Sequence, residues 1–272
     1  MDPLITYKFQ ELFFVKVHIF YLVGFFLLIC NDKNNIFMKL LLISNSTNPG
    51  EPYLEYPRKE IQRFLREKKV HALFIPYAAV TFSFDEYESK VVERFSEIGH
   101  YITSIHHFPD PVKAVQEAEV IVVGGGNTWQ LVRMIHDNRL MEAIRLKVSE
   151  GTPYIGWSAG SNVACPTLRT TNDMPIVDPN GFECLNLVPF QINPHYLDIN
   201  PEGHGGETRE QRILEFLEIN PDVFVVGLRE GTMLKYEDGL LHLIGTKSAR
   251  IFRKGIAPME LNASDDLNFL MR

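Results

Sequence analysis

Five residues, Gly156-Trp157-Ser158-Ala159-Gly160, have the spacing of a nucleophile elbow. They follow the apolar run PYIGW and precede SNVAC, which can continue as a helix. A serine on a sharp strand-to-helix turn sits in a strained backbone conformation, and flanking glycines remove the Cβ atoms that would clash. The helix start behind it supplies free N–H groups and positive potential. Such a serine does acyl transfer. The plain alternative is a glycine-rich turn with an idle hydroxyl.

A second glycine cluster, Gly124-Gly125-Gly126-Asn127-Thr128, follows the strand-like EVIVV. Three glycines let the backbone approach a ligand and aim N–H groups at an anion. A dinucleotide fingerprint fails in both registers, because Trp129 or Asn127 stands where a glycine is needed; a Walker lysine is also missing. An oxyanion hole suits the cluster better, with one donor from Gly125 or Gly126 and the other from the Ala159 N–H. A tight turn without a role is the plain alternative. Asn127 is a candidate contact to substrate.

A serine nucleophile needs a base. Among nine histidines, His195 closes the strand-like run of QINPHYLD and follows a proline, which predicts a ring held at a fixed loop after a strand. It also lies downstream of Ser158, the order found on α/β scaffolds. His204, in the glycine-rich PEGHGGETREQR, suits a lid better than a base. Two acids compete to orient the imidazole: Asp173 in the polar loop RTTNDMP, and Glu230 at the end of VVGLRE. Either could fix the tautomer and stabilise the imidazolium.

The elements that must position these residues alternate from Lys39 onward. KLLLIS, HALFIPYA and EVIVV are buried-strand patterns, residues 102–108 are a further strand candidate, and amphipathic segments lie around 61–65 and 84–98. Continuous apolar runs alternating with helices predict a doubly wound, mostly parallel α/β sheet covered on both faces. From Val223, VFVVGL, TMLKYEDGLLHLIG and ARIFRKG read as successive strands with tight turns, an antiparallel C-terminal extension.

Composition excludes several classes. A net charge of −7 with scattered Lys and Arg disfavours nucleic acid, which needs a concentrated basic patch. Three cysteines, Cys30, Cys165 and Cys184, make no disulfide framework and suggest a reducing, cytoplasmic compartment. No His/Cys cluster has zinc spacing; His106-His107 is an adjacent pair with no partner motif, so no metal is expected. Residues 13–30 are apolar but broken by Lys16 and His18, leaving a run of 12 residues, short of the ~20 a spanning helix needs. No small-residue cleavage site follows. Residues 1–37 therefore read as an extension upstream of a start at Met38, with 38–272 a single α/β domain. A membrane-anchored form is the alternative, settled by the N-terminal mass.

Long stretches of the chain resemble the dipeptidase E family, also called peptidase E or α-aspartyl dipeptidase. The resemblance is carried by LLLISNSTNPG (40–50), GGGNTWQL (124–131), YIGWSAGSNVACPTLRTTNDMPIVDPNGF (154–182), QINPH (191–195) and PEGHGGETREQRI (201–213). It spans Met38 to the C-terminus and leaves out 1–37. It implies a fold like class I glutamine amidotransferases, with serine in place of the usual cysteine. It also implies hydrolysis of dipeptides with N-terminal aspartate, without metal or cofactor, by a monomer or small homo-oligomer. Carried over residue by residue, Ser158 is the nucleophile and His195 the base. The family has been described with both acids. Glu230 is favoured as the partner of His195 by its strand-end position, and Asp173 as shaping the pocket. Arg209 is the first candidate for the substrate carboxylate and Arg169 the second, since a guanidinium fork matches that group. The rivals are a cyanophycinase-like enzyme acting on aspartate-rich polymer and a non-catalytic binding module on the same fold.

Overall fold

The computed structural model describes residues 37–66, 69–200, 202–203 and 205–272. The extension expected over 1–37 lies, Phe37 apart, outside the described residues, as does His204. Five parallel strands form the body: β1 (Leu40–Ile43), β2 (His71–Ile75), β3 (Tyr101–Ser104), β4 (Val120–Val123) and β5 (Tyr154–Trp157). They lie in the order β3-β2-β4-β5-β1. β1, β4 and β5 are buried at every position, which is why each reads as an unbroken apolar run.

Alternate side chains of these strands enter two cores. Leu40, Leu42, Ile121 and Val123 enter one, and Leu41, Ile43, Val120 and Val122 the other. Helices α1 (Arg58–Leu65) and α2 (Phe84–Glu97) cover the second core with Phe64, Val91 and Phe95. Helices α3 (Pro111–Glu117), α4 (Thr128–Asp137) and α5 (Leu140–Ser149) cover the first with Val115, Leu131 and Ile144. The start of α2 is fixed by a capping box, in which Ser83 Oγ accepts from Glu86 N–H and Glu86 Oε2 accepts from Ser83 N–H at 2.8 Å.

The rest of the chain is β6 (Gln191–Tyr196), α7 (Arg209–Ile219), β7 (Val225–Arg229), β8 (Met233–Glu237), β9 (Leu240–Ile244), β10 (Ala249–Arg253) and β11 (Ile256–Leu261). The C-terminal strands pair antiparallel, as expected, and they divide between two sheets. The β8–β9 hairpin pairs antiparallel with β1 and completes a seven-stranded sheet. β7, β10 and β11 join β6 in a four-stranded sheet of order β11-β10-β7-β6, in which β6 and β7 are parallel. The physical reason is burial on both sides of β7. Val226 and Leu228 enter the main core, while Val225 packs with Ile213 and Leu217 of α7. The run expected over 102–108 leaves the sheet after Ser104 and continues as a 3₁₀ turn, Ile105–His107. Among the described residues, no helix is long and apolar enough to cross a membrane.

Candidate active site

Ser158 stands between β5 and the short helix α6 (Ala159–Asn162), at φ 52°, ψ −112°. The strain is enforced by its surroundings. A Cβ on Gly156 would lie 2.4 Å from the Gly160 carbonyl oxygen, and one on Gly160 would lie 2.2 Å from that of Val123. Neither position tolerates a side chain, so the turn closes only with both glycines. The Ser158 N–H donates to Ile43 O at 3.0 Å, which ties the elbow to the end of β1.

The glycine cluster lies beside it at the end of β4. The Gly125 Cα is turned toward the serine, for a Cβ there would lie 3.0 Å from Ser158 Cβ. Among the described residues, the N–H groups of Gly125, Gly126 and Ala159 donate to no protein acceptor. The loop is fixed from behind: Tyr87 Oη donates to Gly125 O at 2.8 Å and accepts from Trp157 Nε1 at 3.1 Å. Burial pushes the Tyr87 phenol up to about 12, so it remains a donor. Asn127 uses its amide within the fold. Its Oδ1 caps α4 through the Gln130 N–H, and its Nδ2 donates to Met174 O at 2.9 Å.

His195 lies within β6 rather than in a loop after it. The β6–β7 register slips between Asn193 and Tyr196, so β6 holds one residue more than its partner there. Pro194 has no N–H to give a ladder, which makes this the place for a bulge. The bulge leaves His195 at φ 52° and re-aims its ring. Its N–H donates to Ser44 Oγ at 3.0 Å, and Ser44 Oγ donates to Leu228 O at 2.7 Å. The ring bridges two side chains. Nε2 lies 3.0 Å from Ser158 Oγ, and Nδ1 lies 2.7 Å from Glu230 Oε1. Side-chain exposures of 39% for His195 and 35% for Glu230 leave the pair open, so a bound substrate must exclude the water.

Glu230 follows β7 directly, and the turn behind it is pinned by Asn45, whose Oδ1 accepts from Gly231 N–H at 2.9 Å. Asp173 is not at the imidazole. Its Oδ2 accepts from Thr128 N–H at 2.7 Å, Thr128 Oγ1 at 2.6 Å and Thr171 Oγ1 at 3.1 Å. A carboxylate at the start of α4 meets the positive end of that helix, which is where Asp173 gains its bonds. It thereby staples the 171–174 loop to the glycine cluster. Ser44, Asn45 and Tyr87 join the site from positions that the motifs do not mark. The first two stand in LLLISNSTNPG, just after the apolar run of β1, where small polar residues carry no signal beyond a turn.

Arg169 and Arg209 line one cavity together with Asn172 and Asn193, next to the His195 strand. Arg209 is the first residue of α7, after the Thr208 cap. Its neighbours find carboxylates, Arg212 with Glu207 and Arg250 with Glu210; among the described residues, Arg209 has none within ion-pair distance. Burial holds the Arg209 guanidinium below its usual range, followed by repulsion from Arg212. Arg169 stacks over Phe182, 4.9 Å from the ring centroid. Among the described residues, the cysteines are no rivals to Ser158: Cys165 and Cys184 are buried, and burial pushes both thiols up. The histidine pair His106-His107 does have partners after all, Asp85 and Glu88 of α2.

With this geometry in place, comparison with known proteins decides the family. Residues 40–244 match the family model described as peptidase family S51. The chain belongs to peptidase family S51. Two relatives named peptidase E support the assignment. One, from Nostoc sp. (strain PCC 7120), is 53% identical over 86% of this chain and 96% of its own length. The other, from Salmonella paratyphi A, is 48% identical over 83% of this chain and 98% of its own. The crystal structure of a peptidase from an acI-B1 Actinobacterium shares the fold, with a TM-score of 0.64 at 17% identity over 85% of this chain and 96% of that one. The S51 chain is thus a serine-type peptidase, a hydrolase, on a mixed α/β fold.

Proposed function

We propose that this peptidase is a cytoplasmic dipeptidase that hydrolyses dipeptides with N-terminal aspartate through an acyl-enzyme. The observation that carries the reading is the contact series from Glu230 Oε1 to His195 Nδ1 at 2.7 Å and from His195 Nε2 to Ser158 Oγ at 3.0 Å. In the proposed reaction, Ser158 Oγ attacks the scissile carbonyl while His195 Nε2 takes its proton. Glu230 holds the Nδ1 proton and balances the imidazolium. The Ala159 N–H and that of Gly125 or Gly126 bind the carbonyl oxygen as it becomes negative. His195 then gives its proton to the leaving amine, and water releases the aspartyl group by the same steps in reverse order.

The carboxylate of the substrate side chain needs a replacement for its water. The cavity of Arg209 and Arg169 beside His195 supports that assignment, because among the described residues Arg209 has no carboxylate within ion-pair distance. The cyanophycinase-like alternative is not favoured by relatives named peptidase E at 48% and 53% identity. Free, buried Cys165 and Cys184 agree with a reducing compartment. Ser158→Ala removes the nucleophile without adding bulk. It is expected to keep the folded spectrum and lose kcat by on the order of 10⁴ or more on Asp-X dipeptides. Near-normal turnover by that variant would sink the serine mechanism. Failure of the wild type on Asp-X, with activity on Asn-X or Glu-X in the same panel, would overturn the substrate assignment.

A further inference from the structure

At the edge of the main sheet, far along the strand order from Ser158, α2 and the turn after β3 bring four side chains to one point. These are Asp85 and Glu88, three residues apart on α2, and His106 and His107, adjacent in the 3₁₀ turn. One ligand atom from each lies within 4.8 Å of all the others. His106 Nε2 is 2.8 Å from Asp85 Oδ1, His107 Nε2 is 2.6 Å from Glu88 Oε2, and His107 Nε2 is 3.9 Å from Asp85 Oδ1. We propose that Asp85, Glu88, His106 and His107 bind a divalent transition-metal ion, Zn(II) foremost, in a structural site separate from the peptidase centre.

Three features point to an ion rather than to ordinary surface ion pairs. The first is charge. Among the described residues, neither carboxylate has a Lys or Arg partner within ion-pair distance; the ionisable groups that each meets there are the imidazoles. With neutral imidazoles the cluster carries two negative charges, which one divalent cation balances.

The second is the donor set. Two imidazole nitrogens and two carboxylate oxygens suit zinc, while magnesium and calcium prefer oxygen alone. Tetrahedral bonds of about 2.0–2.2 Å put ligand atoms about 3.4 Å apart. The observed separations lie on both sides of that value, so small side-chain rotations admit the ion.

The third is the support behind the ligands, which comes from one residue. Ser104, fully buried at the end of β3, contacts His106 Nδ1 through Oγ at 2.6 Å and donates its N–H to Glu88 Oε1 at 2.6 Å. Each of these two ligands therefore has its far polar atom fixed and its near atom, Nε2 or Oε2, aimed at the common point. Metal sites orient their ligands in this way. On binding, each imidazole stays neutral: Nε2 gives its lone pair to the ion and the ring proton sits on Nδ1, which for His106 faces Ser104 Oγ. The ion would join the first turns of α2 to the end of β3, and the same stretch of α2 carries Tyr87, which fixes the glycine cluster.

The test is a Zn(II) titration of the untagged full chain against a chromophoric chelator of known affinity. The wild type is expected to bind one equivalent that is lost on substitution. His107→Ala and Asp85→Asn should each weaken it by at least ~10-fold, and His106→Ala combined with His107→Ala by ~100-fold or more. Asp85 is 76% exposed, so Asp85→Asn leaves the packing alone; circular dichroism of each variant without metal checks the fold. Zinc should also raise the Tm of the wild type and leave that of the double variant unchanged. No bound equivalent, or one of equal affinity in wild type and all variants, overturns the site.

Discussion

The proposed nucleophile and its proposed base are held by opposite kinds of structure. Ser158 sits in a turn whose strain is local: two glycines, the end of β5 and a short helix within five residues of sequence. His195 shares the positive φ but reaches it through a bulge between β6 and β7. Its supports come from afar, 151 positions away for Ser44 and 35 for Glu230. A nucleophile must be identical in every turnover, and a local turn secures that. A base must be aimed at a group on another element, and only tertiary contacts do so. The two acids repeat the contrast: Glu230 contacts the ring, while Asp173 contacts the start of α4 beside the glycine loop.

The sharpest way to break this division is to exchange the two acids for their amides. Glu230→Gln keeps the size but removes the charge facing the imidazolium, and kcat should fall by about 10³–10⁴ with the fold intact. Arg209→Met comes next. It should cost roughly 2–4 kcal/mol in kcat/KM on Asp-X dipeptides and much less on Asn-X. Equal losses on both substrates would mean that Arg209 serves the fold of α7, and Arg169 would take its place. Asp173→Asn weakens a helix-start contact only. The expected cost is about 1 kcal/mol of stability, with kcat lowered within about tenfold. If Asp173→Asn is as severe as Glu230→Gln in kcat, the separation of roles fails.

The smallest effect concerns the frame of the base side. Arg229, next to Glu230, donates to Glu260 of β11 at 2.8 Å and to Asp198 at 2.9 Å. The Arg229 hydrogen bonds hold Glu260 at about 2, below its ordinary 4.5. A carboxyl depressed on folding stabilises the protein above its unfolded value and loses that contribution as pH falls. The window is therefore about 4.5 down to 2. Glu260→Gln should lower Tm modestly at pH 7, since the Glu260 side chain is 42% exposed, and the gap to wild type should close toward pH 2. A constant gap across that range would show that the ion pair contributes nothing through its charge.

What was legible in the sequence follows the same line. The elbow, the glycine cluster and the parallel strands were readable because each is a local pattern of glycines or apolar runs. The choice between Asp173 and Glu230 was legible only as a preference for the acid at a strand end; the contact itself depends on β7 lying beside β6. The fate of the C-terminal strands was equally hidden: the hairpin pattern is the same whether a strand joins β1 or β6. His106-His107 looked unpartnered because its two carboxylates come from the other side of β3, on α2. Ser44 and Asn45 are small polar residues of a turn, and nothing in their type announces which backbone they will hold.

One further consequence lies in the seam between the sheets. Ser158 belongs to the seven-stranded sheet; His195 and Glu230 belong to the four-stranded one, and Ser44 stitches the two at the end of β1. The proposed reacting pair would thus work like a vernier across two rulers. A slide of 1 Å between them would carry Nε2 out of reach of Oγ while every helix and strand stayed whole. Hydrolysis is then the most sensitive gauge of the alignment of the two sheets, and mild denaturant should silence the enzyme before the backbone signal begins to change.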